Sequence, residues 1–337
     1  MTTDAGTDRS VPAIYTVRPY NENPVVEELG ACDPNDASSC PKLWVVSTRH
    51  VPSNVCRANL TNPALSVSRL TDCGCVIPSS LDEYFSNMVQ QRPTVFYVHG
   101  NRMASADAIR RGLKVYRRAQ PYLQDRTIDW VIFSWPSAKE GCLVGDVKRK
   151  ADRIDAQGLY LAWLLRNHIQ HQNPIAMIGY SFGARVITGS LHAMAGGALG
   201  GRRLRDAHVT GADISVGFVA PAVDASWTMS NRYHGRASQN LRCMSLLYNS
   251  RDIALKQFWR LNGERGSVAL GSSGMPRLGL RLDGTAVPAR SIDCSSIVGF
   301  HHNESFYYQN DCTASREMAR MINQHFCCDV TESKPSH

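Results

Sequence analysis

The sequence predicts an α/β protein with a mostly parallel central sheet flanked by helices on both faces. Three observations predict it. Runs such as Thr94-Val-Phe-Tyr-Val98 and Ile214-Ser-Val-Gly-Phe-Val219 are short and nearly continuously apolar, as strands buried on both faces require. Between such runs lie longer segments whose apolar residues recur at helical spacing, so strands and helices alternate along the chain. One apolar run, Ile175 to Ile178, ends in Gly179-Tyr-Ser-Phe-Gly183 and passes into a helix-compatible segment of small residues.

The first strand is Lys42-Leu-Trp-Val-Val-Ser-Thr-Arg49, β-branched and aromatic with turn residues on both sides. From His50 to Asp72 the chain is polar and carries Pro52, Asn54, Asn59 and Pro63, which argues against helix; Leu65 to Leu70 alternates and reads as a second strand. Ser80 caps a helix with Leu81, Phe85 and Met88 on one face. Thr94 to Val98 is a buried strand that ends in His99-Gly100-Asn101-Arg102, followed by a helix from about Ser105 to Leu123. On that helix Ala108, Ile109, Leu113 and Tyr116 face inward, and Arg110, Arg111, Lys114, Arg117 and Arg118 are expected on the solvent side. Ile128 to Ser134 is the next buried strand, closed by Trp135-Pro136, and Asp146 to about Asn167 is a helix. Past the helix after Gly183, the glycines from Gly196 to Gly201 make a flexible connection. Strands follow at Ile214 to Val219, ending near Asp224, and at Cys243 to Tyr248, ending in Asn249-Ser-Arg-Asp252. From Ala254 to Pro288 the chain is rich in Gly and Arg, with only a short helix near Leu255 to Leu261. Ala289 to Cys294 is a last strand, His301-His302 follow it, and Ala314 to His325 closes the chain as an amphipathic helix.

With 337 residues the chain can bury one large core, and 43% hydrophobic and 20% charged residues are values of a globular protein. No run of 18 or more apolar residues is present, so no membrane span is expected. The first ten residues lack the basic start and apolar core of a secretory signal, so a cytoplasmic protein is expected, or a secreted or periplasmic one if a leader has been removed. Eleven cysteines keep the second alternative open, because they crowd the first quarter (Cys32, Cys40, Cys56, Cys73, Cys75) and the end (Cys312, Cys327, Cys328), where disulfides would staple peripheral loops. Cys73-Gly-Cys75 has only one intervening residue and no second paired site, so no metal is expected. The net charge of +8 is not accompanied by a nucleic-acid motif, so no nucleic-acid partner is expected either.

The pentapeptide around Ser181 has a steric logic. A serine held on a tight strand-to-helix turn needs neighbours without side chains, because the two backbones approach closely there. Every polar residue of interest, Asn101, Ser181, Asp224, Asp252 and His302, follows the end of a predicted strand, where open α/β sheets bind ligands. Over residues 42 to 325 the chain resembles the α/β-hydrolase superfamily of serine esterases and lipases. It does so through Gly179-Tyr-Ser-Phe-Gly183, the His99-Gly100 pair, and the order Ser, Asp, His. Phe133-Ser-Trp-Pro136 and Tyr248-Asn-Ser-Arg-Asp252 look like a little-described bacterial branch of it.

The resemblance implies a nucleophile at Ser181, activated by an imidazole. His302 is the expected base, with His301 as the alternative; neighbours on a loop point apart, so only one reaches Ser181. Asp252 is the expected acid, with Asp224, one strand earlier, as the alternative. The backbone N–H groups of Phe182 and Asn101 would form the oxyanion hole, while His99 orients that loop rather than reacts. Tyr180, Phe182 and the excursion at about 254–288 would meet the substrate; Arg102 is either a surface arginine or a contact to an acidic group of the substrate. The organisation expected is an irregular arm at 1–41, one domain at 42–328 and a tail at 329–337. The expected activity is cofactor-free cleavage of a small carboxylic ester. A thioesterase, acyltransferase or polyester hydrolase could use the same triad, and a binding protein could keep the scaffold without catalysis. Oligomeric state is not legible in the sequence.

Overall fold

The structure is a computed structural model that describes residues 41–71, 74–88, 92–124, 127–140, 143–171, 173–205, 208–262, 266–309 and 313–327. The expected arm at 1–41, apart from its last residue, and the tail lie outside the described residues. So do Cys32, Cys40, Cys73, Cys142, Cys312 and Cys328, and with them most of the disulfide expectation.

Nine strands form one sheet: β1 (Leu43–Ser47), β2 (Ser66–Leu70), β3 (Val76–Ser79), β4 (Thr94–Val98), β5 (Asp129–Ser134), β6 (Ile175–Tyr180), β7 (Ile214–Val219), β8 (Leu241–Tyr248) and β9 (Ala289–Asp293). Their order is β3-β2-β1-β5-β4-β6-β7-β8-β9. Every neighbouring pair from β1 to β9 is parallel, and β2 is antiparallel to both β1 and β3. All residues of β4, β5, β6 and β7 are buried, which is why these segments read as unbroken apolar runs. β3 escapes the sequence reading because it is a four-residue edge strand, half exposed and interrupted by Pro78.

The helices are α1 (Leu81–Ser86), α2 (Ser105–Ala119), α3 (Leu143–Gln170), α4 (Phe182–Met194), α5 (Ile253–Lys256), α6 (Phe258–Asn262), α7 (Leu270–Ser273), α8 (Ser295–Val298), α9 (Glu304–Tyr307) and α10 (Thr313–Cys327). Ser80 caps α1 as its sequence predicts, accepting from the Glu83 N–H. The single short helix expected near Leu255 is two, α5 and α6, and α7, α8 and α9 are single turns too short to show a period. Long helices cover both faces: α3 packs against α4, and α2 packs against α10. From β4 the chain moves one way along the sheet to β5, then returns past β4 to β6. Right-handed crossovers therefore put α2 and α3 on opposite faces. That reversal makes the carboxyl ends of β4 and β6 the topological switch point, the place where open α/β sheets bind ligands. Among the described residues no helix is long and apolar enough to cross a membrane.

Four of the five basic side chains of α2 are exposed as expected, but Arg111 is not on the solvent side. It is half-buried and reaches across to Asn303 and Ser305. The excursion after β8 threads back between strand ends: Leu270 N–H donates to Val223 O, Gly271 N–H to Pro221 O, and Asn249 N–H to Gly271 O.

Candidate active site

Ser181 is the single residue between β6 and α4, with φ 51° and ψ −118°. A left-handed φ at a non-glycine residue costs about 1–3 kcal/mol and persists only where the surroundings impose it. Here they do: the Ser181 N–H donates to Val219 O, and its carbonyl accepts from Ala222 and Ala184. The flanking glycines follow from close approach. A Cβ on Gly183 would sit 2.0 Å from the Val98 carbonyl oxygen, and one on Gly179 would sit 2.9 Å from the Ala184 nitrogen. No side chain fits at either place, so the strand can turn directly into the helix. The Ser181 side chain then stands at the N-terminal end of α4.

Three side chains from three loops meet there. Ser181 Oγ lies 2.9 Å from His302 Nε2, and His302 Nδ1 lies 2.6 Å from Asp252 Oδ2. A carboxylate only accepts, so Nδ1 carries the proton, and the lone pair of Nε2 faces the serine hydroxyl. Asp252 is fully buried, and its second oxygen accepts from Leu255 N–H at 3.0 Å as the cap of α5. The His302 side chain is 23% exposed, whereas the Asp252 carboxylate behind it is closed off from solvent.

The alternatives are occupied elsewhere. His301 is exposed and stacks on Phe306, with ring centroids 4.7 Å apart. Asp224 Oδ1 accepts from the N–H and hydroxyl of Ser226, and Oδ2 accepts from Ser267 Oγ, so this carboxylate ties down the excursion. Tyr180, expected to meet substrate, is buried instead. Its hydroxyl donates to the His302 carbonyl at 2.6 Å and its ring stacks on the imidazole at 5.6 Å. Tyr180, just before the turn, therefore lies against the His302 imidazole and backbone rather than facing solvent. The Phe182 side chain is likewise buried. Ile253, next to Asp252, and Phe300, two residues before His302, are exposed apolar side chains, and Arg251 lies over the Phe300 ring.

Phe182 is the first residue of α4, so its N–H has no acceptor within the helix. No acceptor for the Asn101 N–H is found among the described residues either. Its direction is set from behind. His99 Nδ1–H donates to the Gly100 carbonyl at 2.8 Å, Ser137 Oγ donates to the same oxygen at 3.1 Å, and His99 Nε2 accepts from Trp135 N–H. Because a trans peptide is planar, a Gly100 carbonyl turned towards His99 leaves the Asn101 N–H on the opposite side. Gly100 also packs on Ser181: a Cβ there would stand 3.0 Å from Ser181 Cβ. Burial, then the nearby Arg49 charge, pushes the His99 imidazole down to about 3, so it is a neutral structural ring. Arg102, next in the chain, has φ 60°, is half-buried, and pairs with no carboxylate among the described residues.

Supporting residues to which the sequence alone gave no role at the site include Arg49, Tyr97, Ser137, Asn249 and Glu304. Arg49 Nε donates to Ser134 Oγ beneath His99, and Asn249 Nδ2 donates to Gly299 O in the His302 loop. Asn249 had a signal, because it stands in the Tyr248-to-Asp252 segment that carries part of the resemblance. The others had none, since each acts through a contact distant in sequence. Among the described residues no group of His, Cys, Asp and Glu could hold a metal ion.

No protein-family model matches the chain, and no curated protein matches it. Similar solved structures include a C6-C4 SN3 inhibited esterase B from Lactobacillus rhamnosis, at 12% identity over 79% of this chain and 82% of that one, with a TM-score of 0.38. The α/β hydrolase MGS-M1 from a Medee basin deep-sea metagenome is 14% identical over 81% of this chain and 93% of its own, with a TM-score of 0.28. The Francisella virulence factor BioJ is 12% identical over 77% of this chain and 81% of its own, with a TM-score of 0.29. At these TM-scores the likenesses decide nothing; on its own sheet order and the strand-to-helix turn at Ser181 the chain is an α/β protein with a mostly parallel central sheet flanked by helices on both faces.

Proposed function

We propose that this protein is a serine hydrolase that cleaves carboxylic esters through an acyl-enzyme. The observation that carries the reading is the unbroken chain from Ser181 Oγ through His302 to the buried carboxylate of Asp252, at 2.9 and 2.6 Å. Ser181 Oγ attacks the ester carbonyl carbon as His302 Nε2 takes its proton. The resulting imidazolium is stabilised by Asp252, whose burial strengthens that interaction. The carbonyl oxygen becomes an oxyanion, which accepts from the N–H groups of Phe182 and Asn101. Collapse expels the alcohol, which takes the proton from His302. Water then attacks the acyl-enzyme with His302 as base again, releasing the acid and restoring Ser181. The helix N-terminus beneath the oxyanion favours negative charge as well. Arg102 is the group that would face an acidic substituent on the substrate.

The test compares wild type with Ser181→Ala on p-nitrophenyl esters of increasing acyl length, alongside labelling by a fluorophosphonate. Turnover by wild type and background rates for the alanine variant are expected. A wild type that neither turns over nor labels would leave the scaffold as a binding protein. One that labels but is silent on every ester would move the reading to another acyl-transfer substrate.

A further inference from the structure

His302 stands on a loop between α8 and α9, and its partly exposed side chain has to be held within reach of Ser181. The hold comes from a buried group that the proposed chemistry does not use. Glu304, two residues further on, is completely buried. Its Oε2 accepts from the Tyr97 hydroxyl at 2.8 Å and lies 3.9 Å from Arg111 Nε. Arg111 reaches from α2 to both sides of this carboxylate, and its Nη1 donates to Ser305 Oγ at 2.6 Å and Asn303 Oδ1 at 3.3 Å. Tyr180 completes the frame through the His302 carbonyl. Tyr97 precedes His99-Gly100 on β4 by two residues, and Tyr180 directly precedes Ser181. The base loop is thus fastened to the two strands that carry the nucleophile and the Asn101 N–H.

A buried carboxylate is a costly way to stabilise a fold, since apolar packing of the same volume does as well or better. Its Oε1 is buried without a hydrogen-bond partner, which adds to that cost. What a charged, hydrogen-bonded group gives instead is a unique position for what it holds.

We propose that Glu304 is a positioning residue. Clamped by Arg111 and Tyr97, it holds the His302 imidazole in line with Ser181, an inference that rests on the hydrolase reading above. The titratable and charged groups around the clamp are Tyr97 on β4, Tyr180 on β6, Arg111 and Lys114 on α2, Tyr307 and Tyr308 at α9, and Asp252 with His302 across the loop. Of these, Arg111 and Lys114 supply the permanent positive charge. Burial outweighs them and pushes the Glu304 carboxyl up to about 7. Glu304 therefore ionises, and gains its full attraction to Arg111, as pH rises through about 7. The clamp is complete only once that proton has left, so the acid limb of the rate profile carries an ionisation that Glu304→Gln lacks.

The experiment measures kcat and KM on a p-nitrophenyl ester from about pH 5 to 9 for wild type, Glu304→Gln, Arg111→Lys and Arg111→Gln. It also follows the low-field proton resonance of the His302 Nδ1–H bond to Asp252. For Glu304→Gln a kcat about 10-fold lower at nearly unchanged KM is expected, with an acid limb of single-proton slope and a shifted or broadened resonance. Arg111→Lys should retain much more of the rate than Arg111→Gln. A folded Glu304→Gln variant with wild-type kcat, slope and resonance overturns the proposal. If that variant does not fold, the two Arg111 variants decide by the same readouts, and equal behaviour of both with wild type overturns it. If wild type cleaves no ester, the ester reading fails by itself, and the dependence of the His302 resonance on Glu304 and Arg111 still decides the clamp.

Discussion

Asp252→Asn isolates the role of the buried acid, because the two side chains are the same shape and the site allows only one outcome. In the native site Oδ2 accepts from His302 Nδ1–H at 2.6 Å, and Oδ1 accepts from Leu255 N–H at 3.0 Å. An asparagine has one acceptor for these two donors. If its oxygen turns to His302, its NH2 faces the Leu255 N–H. Two buried donors then oppose each other at about 1–3 kcal/mol, and the helix cap is lost for about 1 kcal/mol more. If its oxygen stays with Leu255, its NH2 donates to Nδ1, and the imidazole needs only to move its proton to Nε2. The second arrangement wins. Nε2–H then points at Ser181 Oγ and cannot accept the hydroxyl proton. The charge that would stabilise the imidazolium has gone as well. A loss of about 10⁴-fold in kcat is expected, equivalent to about 5 kcal/mol of transition-state stabilisation. Because the cap survives, the melting temperature should change little. The assay is p-nitrophenyl ester hydrolysis and fluorophosphonate labelling of Ser181, with a melt to establish folding. A folded variant within about tenfold of wild type would refute the reasoning, since it would mean that the tautomer is set by something other than Asp252.

Two further outcomes follow from the buried groups around the triad. His99→Ala removes the donor that turns the Gly100 carbonyl inward and leaves only Ser137 to hold it; kcat should fall by at least tenfold, towards the roughly 10²–10³-fold loss of a whole oxyanion donor, with KM little changed. Unchanged kcat in the folded variant would show that the Asn101 N–H is not set through this peptide. Glu304 also links stability to pH: its carboxyl is raised from 4.5 to about 7 in the folded chain, so the native state binds the extra proton between those values. The stability this gives is fully present below about pH 4.5 and is lost as pH rises through about 7, on the order of 3 kcal/mol in all. Denaturant melts of Glu304→Gln should lack that slope, so the variant gains on wild type as pH rises from about 5 to about 7.5. Parallel curves for the two proteins would contradict this.

Much of the fold and part of the candidate site were legible in the residues themselves, for local reasons. The central strands could be read because burial on both faces requires apolar side chains at every position, and that requirement is written contiguously from Thr94 to Val98 and from Ile214 to Val219. The turn at Ser181 could be read because its steric demands fall on its immediate neighbours, Gly179 and Gly183. The order of Ser181, Asp252 and His302 was instead implied by the resemblance, which these residues fit by coming after predicted strands.

What the sequence could not carry is anything set by contacts between distant segments. Two adjacent histidines and two aspartates at strand ends are equivalent in one dimension. They separate only when Asp224 meets Ser226 and Ser267, His301 stacks on Phe306, and Asp252 and His302 close on Ser181. Arg111 shows the limit most sharply. By helical spacing it belongs with the solvated arginines of α2, yet the loop after α8 brings Asn303, Glu304 and Ser305 to it, and it becomes half-buried. A period along one helix reports which face is apolar. It cannot report what another part of the chain lays across the polar face, because that depends on the path of residues nearly two hundred positions away.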